Sequence, residues 1–353
     1  MLRLCVLIPG FSDGGAQKQC IFLLNALQEC DDVELTLIRF RDGVHDPLLR
    51  RERIAIHTLP YSSNADPRLP LAIAAILRRS RAQILLTWLI SCDLHGFFVR
   101  ACAANGVRWV MTERNSRHPK GLRFRLRYQL GRFADAVISN SPAGDAAWAR
   151  LARPERRFVV PNIVLPAVTA SEHHGAVLFA GRLEPAKNPI AAAAAFLHLA
   201  ARRADLHFQI VGQGSLTENL RRMIAGSPQA GRIVMTGFRD DLPVHLAGAK
   251  AMISLSHHEG LPNVLLEAAM AGIPIVASAI PEHVALLGAH YPYLVAPDAP
   301  PAVIAAMIET AIDDPAAADA LAPARQAMTA MAPEAIAARY MAIFAQVAGG
   351  RAA

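Results

Sequence analysis

The chain has little cysteine and no long uninterrupted apolar run, and each shortage excludes a class of protein. The five cysteines stand among apolar residues without a Cys-x-x-Cys spacing, which argues against a zinc site or a disulfide framework and favours a reducing cytoplasm. Apolar stretches are interrupted by His198 or by Arg78 and Arg79, so none reaches the roughly 18 residues of a membrane-spanning helix. The first eight residues predict a buried strand rather than a signal peptide.

The length of 353 residues exceeds one ordinary hydrophobic core and predicts two domains. Apolar strands and amphipathic helices alternate along both halves, which predicts an α/β fold with two doubly wound parallel sheets. A loop-like stretch at 161–175 contains two prolines and predicts a linker. We therefore expect an N-terminal domain over 1–164, a C-terminal domain over 165–334 and a last helix within 335–353.

Basic charge is concentrated in one segment. The net charge is +7, and the segment 108–132 holds eight basic residues against one acid, Glu113. A local basic patch implies an acidic partner, which could be membrane lipid, a phosphate-bearing substrate or nucleic acid. No aromatic stacking platform accompanies the patch, which disfavours nucleic acid.

A helix is predicted over 119–133 within this segment. On a helical wheel, one face is apolar and is expected to face the core, and an adjacent stripe is basic and is expected to face an anionic membrane or the phosphates of an acceptor. The apolar face comprises Leu122, Leu126, Leu130 and Phe133, and the stripe comprises Arg117, Lys120, Arg123 and Arg127 with Phe124. The alternative is an arginine-rich helix that only meets solvent.

Two glycine-containing loops follow predicted strands. Gly14 and Gly15 open the first helix, where free backbone N–H groups without a nearby Cβ suit an anion. Gly212 and Gly214 form a similar loop later in the chain. A tight turn without a ligand explains either loop equally well on its own.

The loop 181–188 carries Arg182 and Lys187 between a strand and a helix. Open α/β sheets bind ligands at the carboxyl ends of their strands, and two cations there can neutralise a diphosphate. Two solvated loop charges are the alternative.

The segment 256–274 places two glutamates on either side of a predicted loop-to-helix junction. Pro262 suits the first turn of the helix and Gly272 suits its left-handed C-terminal position. Glu259 is then expected in the loop and Glu267 inside the helix, among apolar neighbours. The alternative is a charge at the helix N-terminus and an ordinary surface glutamate.

With this segment the sequence resembles family 4 of the retaining nucleotide-sugar glycosyltransferases, also called group 1. The family's two glutamates separated by seven residues and its Gly-x-Pro turn correspond to Glu259, Glu267 and 272–274. Its other elements also have counterparts: the Gly-Arg-Leu and Lys-Asn loop at 181–188, Val-Gly-x-Gly at 211–214, Thr-Gly-Phe at 236–238, Pro-Asn at 161–162 and the Gly-Gly loop at 14–15. The resemblance covers nearly the whole chain and is most specific from 181 to 274.

The resemblance implies the GT-B fold, in which two Rossmann-like domains face a cleft and the C-terminal helix crosses back to the first domain. It implies that Arg182 and Lys187 hold the donor diphosphate, that Glu259 binds the donor sugar and that Glu267 binds the ribose. The remaining donor-binding residues it implies are Gly14, Gly15, Gly212, Phe238, Gly260 and Leu261. It implies neither metal nor cofactor, because cations and helix dipoles stabilise the leaving nucleoside diphosphate.

One position departs from the family pattern. Many members have a histidine near the anomeric carbon where this chain has Glu113, within Thr112-Glu113-Arg114-Asn115. This version resembles a bacterial subset with polyprenyl-linked acceptors, so Glu113 is a candidate for acceptor binding or for support of the anomeric charge. His95 is a second catalytic candidate, or a structural histidine near a helix N-terminus.

The sequence thus predicts a retaining, metal-independent glycosyltransferase that uses a UDP- or GDP-linked sugar. Its acceptor would be a polyprenyl-linked glycan or polysaccharide in cell-surface glycan synthesis, and it would lie on the cytoplasmic face of the plasma membrane as a peripheral protein. Two alternatives remain: a nucleotide-sugar epimerase of the same fold, and a non-catalytic sugar-nucleotide-binding protein. Both glutamates and both cations are present, which disfavours the second.

Overall fold

The chain divides into two compact units. The computed structural model describes residues 1–12, 14–61, 63, 66–102, 106–115, 121–168, 170 and 174–349. One unit comprises Met1–Ile163 with Met331–Ala353, and the other comprises Val164–Ala330. The boundary lies one residue before the expected one, and the C-terminal segment belongs to the first unit.

The elements alternate along the chain in both units. The first unit contains β1 (Leu2–Ile8), α1 (Gly15–Leu27), β2 (Val33–Arg39), β3 (Ile54–Thr58), α2 (Arg68–Arg79), β4 (Ile84–Thr87), α3 (Ile90–Cys102), β5 (Arg108–Glu113), α4 (Leu122–Gly131), β6 (Ala136–Ser139), α5 (Pro142–Ala146) and β7 (Arg157–Val159). The second contains β8 (Val177–Ala180), α6 (Pro189–Ala200), β9 (Phe208–Val211), α7 (Thr217–Ala225), β10 (Ile233–Gly237), α8 (Leu242–Ala247), β11 (Ala251–Ser254), α9 (Asn263–Ala271), β12 (Ile275–Ser278), α10 (Pro281–Leu287), β13 (Leu294–Val295), α11 (Pro301–Asp313) and α12 (Ala322–Met328). The last helix, α13 (Pro333–Gly349), returns to the first unit.

Each unit is built on a parallel sheet, as the alternation predicts. The first sheet has the order β3-β2-β1-β4-β5-β6-β7 and the second has the order β10-β9-β8-β11-β12-β13. The strand order reverses between β1 and β4 in one sheet and between β8 and β11 in the other. Such a switch point leaves a crevice at the carboxyl ends of the strands, where α/β proteins bind their ligands.

Helix α13 packs on α1 through an apolar face. Its buried residues recur at helical spacing and belong to the same core cluster as α1 and β1: Ile336, Ala337, Tyr340, Ile343 and Phe344. Arg114 strengthens this packing, because its guanidinium donates to the Tyr340 hydroxyl at 2.6 Å and to the Asn162 side chain at 3.1 Å. It also lies over the Trp88 ring, with 3.9 Å to the ring centroid.

The orientation predicted for α4 is wrong. Leu122 and Leu126, expected in the core, have exposed fractions of 82% and 44%, and Arg127, expected on the basic stripe, is buried. Phe133, beyond the end of the helix, is half-exposed at 50%. The helix also begins later and ends earlier than predicted, at Leu122 and Gly131. The expected start of the helix at Pro119 lies outside the described residues, and so do Arg117 and Lys120.

A buried ion cluster explains this orientation. The Arg127 guanidinium donates to Asp93 of α3 at 2.7 Å, to Glu113 of β5 and to the carbonyl of Thr112 at 2.9 Å. On the same side, Gly131 lets Trp148 approach, because a Cβ there would lie 2.6 Å from the indole ring. Two carboxylates that would otherwise be buried without a counter-charge therefore turn Arg127 inward and the leucines outward.

Candidate functional site

The loop after β8 lies at the switch point of the second sheet and is tied to its neighbours on both sides. The backbone N–H of Leu183 donates to the carbonyl of Gln213 at 2.9 Å, which joins it to the loop after β9. The N–H of His257 donates to the carbonyl of Ala186 at 2.9 Å, which joins it to the loop after β11. These bonds gather the sequence motifs at one edge of the sheet.

Lys187 and Glu259 form an ion pair across two of these loops. The Lys187 ammonium donates to Glu259 Oε1, and the Ser256 hydroxyl donates to the same oxygen at 2.6 Å. Burial alone would raise the pKa of Glu259, but Lys187 and Ser256 outweigh burial and hold that pKa below its usual range. Glu259 is therefore an ionised acceptor held in one position beside a cation.

A second layer of polar groups lies behind Glu259. The Ser278 hydroxyl donates to the carbonyl of Ser256 at 2.6 Å, and His283 Nδ1 lies 2.9 Å from the carbonyl of Ser278. Burial lowers the pKa of His283, so the ring is neutral at pH 7 and donates its Nδ1 proton to that carbonyl. Sequence reasoning missed Ser278 and His283, because β12 and α10 carry no motif that points to Glu259.

Arg182 differs from Lys187 in being exposed. Glu184 lies two residues after Arg182. It accepts hydrogen bonds from the backbone N–H of Ser215 at 2.9 Å and from the Ser215 hydroxyl at 2.6 Å. These bonds lower the pKa of Glu184. Within the described part of the chain, no salt bridge occupies the Arg182 guanidinium, which leaves a cation available to an anionic ligand.

Glu267 lies in the middle of α9 and Glu259 lies in the loop before it. Pro262 is the N-cap of this helix rather than a first-turn residue, and Gly272 ends the helix in the left-handed conformation with φ of 73°. Gly260 and Leu261, both half-buried, connect Glu259 to the helix. The segment 256–274 therefore places one carboxylate in the loop and one on the helix that follows it.

A cavity of about 250 Å³ lies beside this edge, and residues of the loop after β9, of helix α7 and of strand β10 line it. Its lining comprises Gly212, Gln213, Gly214, Thr217, Arg221, Met235 and Gly237. Gly212 and Gly214 allow close packing, since a Cβ on either would overlap the backbone of the loop after β8. Phe238, half-buried, follows Gly237 at the end of β10.

In the first unit, Gly14 is the N-cap of α1 and Gly15 is the first residue of the helix. The backbone at Gly14 has φ of −87°, which any residue adopts. The N–H groups of Gln17 and Lys18 donate to the carbonyl of Gly14. The local conformation therefore does not require glycine at position 14.

Both carboxylate oxygens of Glu113 accept hydrogen bonds, and the side chain is buried. Oε1 accepts bonds from the backbone N–H groups of Arg114 and Asn115, at 2.9 and 3.1 Å. Oε2 accepts from Arg127 and, at 3.1 Å, from Trp148 Nε1. In this structure the carboxylate orders the turn after β5, which argues against the expected direct contact with acceptor or donor sugar.

His95 is also buried, on α3, and its ring meets the edge of Phe40 with 5.9 Å between centroids. Its Nε2 has no hydrogen-bond partner among the described residues, and burial lowers the pKa of the ring. The position fits the structural alternative better than the expected catalytic one.

The described residues were searched for metal-binding side-chain groups and for membrane-spanning helices. In that part of the chain, no group of three or more His, Cys, Asp or Glu side chains could hold a metal ion. None of the helices described there is long and apolar enough to cross a bilayer.

Comparison with known proteins points to one family. Residues 174–314 match the family model described as glycosyl transferases group 1. The lipopolysaccharide core biosynthesis glycosyltransferase LpsE of Rhizobium meliloti is 24% identical over 275 residues, which is 75% of this chain and 76% of that protein. An alpha-1,4-N-acetyl-D-galactosaminyltransferase of Campylobacter jejuni, whose name specifies a diNAcBac-PP-undecaprenol-linked substrate, is 24% identical over 285 residues, 76% of each chain.

A solved structure shows the same fold. The Anabaena protein HepE, crystallised with UDP and glucose, superposes with a TM-score of 0.82 at 20% identity, over 98% of this chain and 100% of that one. Together with the two parallel sheets, this likeness confirms the GT-B fold. Residues 174–314 thus match the group 1 glycosyltransferases, and the chain has the GT-B fold.

Proposed function

We propose that the chain is a retaining glycosyltransferase that moves a hexose or N-acetylhexosamine from a nucleoside-diphosphate sugar to a lipid-linked or polysaccharide acceptor in cell-surface glycan synthesis. The observation that carries the proposal is the Lys187–Glu259 pair beside the exposed Arg182, at the switch point of the second sheet. The acceptor class is supported by the names of the relatives, which specify lipopolysaccharide core and undecaprenol-linked glycans.

We propose that the donor is UDP- or GDP-linked and that each residue of the site binds a different part of it. Arg182 and Lys187 bind its diphosphate, since an arginine fork and a point charge together match two phosphates. Glu259 accepts hydrogen bonds from the sugar hydroxyls, and Glu267 accepts them from the ribose. Gly212 and Phe238 flank the nucleoside beside the 250 Å³ cavity.

We further propose that catalysis needs neither a metal ion nor a cofactor. Bond cleavage places negative charge on the leaving diphosphate, and preorganised cations stabilise that charge as a metal would. Arg182 is available for this role, and Lys187 can turn from Glu259 towards the phosphates as the donor enters. Glu113 and His95 have no role in this mechanism, because each is only 1% exposed and hydrogen bonds occupy both oxygens of Glu113.

The acceptor class also implies a place of action. We propose that the enzyme works as a peripheral protein on the cytoplasmic face of the plasma membrane, where polyprenyl-linked acceptors are accessible. Such an enzyme needs only reversible contact with lipid headgroups, which basic and apolar side chains together supply.

Hydrolysis of the donor without acceptor tests the proposal. The full-length protein is incubated in EDTA with UDP-, GDP- and ADP-sugars, and NMR follows the anomeric configuration of the released sugar. We expect slow release of one nucleoside diphosphate and a sugar that first carries the donor's anomeric configuration.

Each part of the proposal can fail in this experiment. Release of the inverted anomer would contradict retention. Turnover that is lost in EDTA and restored by Mn²⁺ or Mg²⁺ would contradict metal independence. Recovery of an epimerised nucleotide sugar would identify an epimerase, and binding without turnover of any donor would favour a non-catalytic binding protein.

A further inference from the structure

A histidine lies fully buried on the short helix that follows β12. His283 is in the first turn of α10, and 0% of its surface is exposed. The other buried residues of this helix, Leu286 and Leu287, are apolar. Burying an imidazole costs free energy unless hydrogen bonds satisfy its nitrogens. The packing of α10 alone therefore does not explain a histidine at this position.

Both ring nitrogens contact the carboxyl ends of neighbouring strands. Nδ1 donates to the carbonyl of Ser278, the last residue of β12, at 2.9 Å. Nε2 lies 3.4 Å from the hydroxyl of Ser254, the last residue of β11, and accepts from it, because the neutral ring carries one proton. Strands β11 and β12 are hydrogen-bonded neighbours. His283 thus links two strand ends at the edge of the sheet that carries the candidate site.

Two further hydrogen bonds connect this link to Glu259. The Ser278 hydroxyl donates to the carbonyl of Ser256 at 2.6 Å, and the Ser256 hydroxyl donates to Glu259 Oε1 at 2.6 Å. Ser278 and Ser256 are 0% and 1% exposed, so both hydroxyls are shielded from water. A displacement of Ser278 is therefore transmitted to the carboxylate of Glu259 through buried bonds.

The charged groups that act on the ring belong to the candidate site and to the helix of the histidine itself. Burial lowers the pKa of His283, the bond to the Ser278 carbonyl and the charge of Glu259 raise it, Lys187 lowers it, and Glu282 raises it. The net effect is a lowered pKa, which keeps the ring neutral at pH 7. Only the neutral ring donates with one nitrogen and accepts with the other, as both of its contacts require.

We propose that His283 is a positioning residue, which fixes Glu259 at the place where its carboxylate accepts hydrogen bonds from the donor sugar. The inference rests on the proposed function, in which Glu259 binds the sugar hydroxyls. Supporting hydrogen bonds must hold such a group to within about 0.5 Å of its productive position. Without the histidine, the ends of β11 and β12 lose their shared contact, and the loop that carries Glu259 loses that precision. The nucleoside diphosphate depends on Arg182 in the loop after β8 instead, so the sugar end of the donor is affected more than the nucleotide.

Donor hydrolysis in EDTA, expressed per nucleotide-binding site, tests this role in the full-length protein. The donors are UDP-glucose, UDP-N-acetylglucosamine, GDP-mannose and ADP-glucose, and calorimetry with the free nucleoside diphosphates counts the sites. His283→Leu removes both polar contacts of the ring. His283→Asn retains a donor near the place of Nδ1, and Ser278→Ala removes the hydroxyl that bonds to Ser256.

His245→Leu is the matched control. His245 lies on α8 in the same unit, where its Nε2 lies 2.6 Å from the side-chain oxygen of Gln209 and its ring stacks on His174 with 4.4 Å between centroids. His174 precedes β8, and Gln209 is the second residue of β9, so these contacts lie at the amino ends of the strands. The control therefore removes a histidine hydrogen bond at the edge of the sheet opposite Glu259.

We expect His283→Leu to lower kcat per site about 10- to 100-fold, because a small misplacement of a group that contacts substrate has effects of this size. The Kd of the nucleoside diphosphate should stay at the wild-type value. His283→Asn should recover most of the loss, and Ser278→Ala should share it. The double variant His283→Leu with Ser278→Ala should be no slower than the slower single variant, since both act through Ser256 on one carboxylate. The control should keep the wild-type kcat.

Several results would overturn the inference. A wild-type kcat in His283→Leu would do so, as would losses that multiply in the double variant or a loss that His283→Asn does not recover. Nucleotide binding that weakens in step with kcat would assign His283 to the stability of the second unit instead. Wild-type protein that hydrolyses none of the four donors would contradict the proposed function, and the inference with it.

Discussion

At the residue scale, the candidate site depends on a nearly buried carboxylate that stays ionised. Glu259 is 9% exposed, yet Lys187 and Ser256 both donate to one of its oxygens. The motif spacing was sufficient to single out Glu259 and Lys187. It could not indicate Ser278 or His283 as supports, because those contacts depend on how neighbouring strands align.

Ser256→Ala tests the support given to Glu259. The serine hydroxyl helps to lower the pKa of Glu259, so its loss should raise that pKa and protonate the carboxylate at higher pH. A hydrogen bond to a charged group contributes about 1.5–3 kcal/mol, so we expect the acidic limb of the donor-hydrolysis profile to move clearly to higher pH. Ser215→Ala is the control, since that hydroxyl bonds Glu184 instead. An unchanged limb in Ser256→Ala would rule out the assigned role of Ser256.

At the element scale, α4 shows where prediction from periodicity stops. Strand β1 spans Leu2–Ile8 as predicted, because a continuous apolar run has only one plausible environment in a parallel sheet. The amphipathic pattern of α4 predicts the wrong face, because its buried arginine pairs with carboxylates 34 and 14 residues earlier in the chain. No helical wheel contains that information. Strand β13, with two residues, is too short to show a period.

Arg127→Met tests what sets the orientation of α4. Removing the guanidinium leaves Asp93 and Glu113 buried without their counter-charge, which typically costs about 3–5 kcal/mol. The three tryptophans, Trp88, Trp109 and Trp148, all lie in the first unit, so their fluorescence in urea reports the unfolding of that unit. We expect a clearly lower midpoint for Arg127→Met and an almost unchanged one for the exposed Arg125→Met. Equal midpoints for the two variants would contradict the role of the ion cluster.

At the scale of the whole molecule, the two units differ in how far sequence explains them. The family match at 174–314 lies in the second unit, where the loops after β8, β9 and β11 each carry a recognisable motif. In the first unit, Glu113 and His95 are candidates by position along the chain, but both are buried, and Glu113 accepts hydrogen bonds from the backbone of the turn that follows it. Motif spacing therefore predicted residues that lie together at one edge of the second sheet, whereas position along the chain did not predict burial in the first unit.

Calorimetric titration of UDP and GDP in EDTA tests the central claim most directly. Arg182 is the exposed cation at the switch point, and a charge-assisted bond to phosphate contributes about 1.5–3 kcal/mol. Arg202→Gln is the matched control, because Arg202 lies beyond the far end of α6 and pairs with Glu309. We predict that the wild type and Arg202→Gln bind one of the two nucleotides equally well without metal, and that Arg182→Gln binds it about 10- to 100-fold more weakly. Binding by Arg182→Gln as tight as that of the wild type, or no binding of either nucleotide by the wild type in EDTA, would contradict the account.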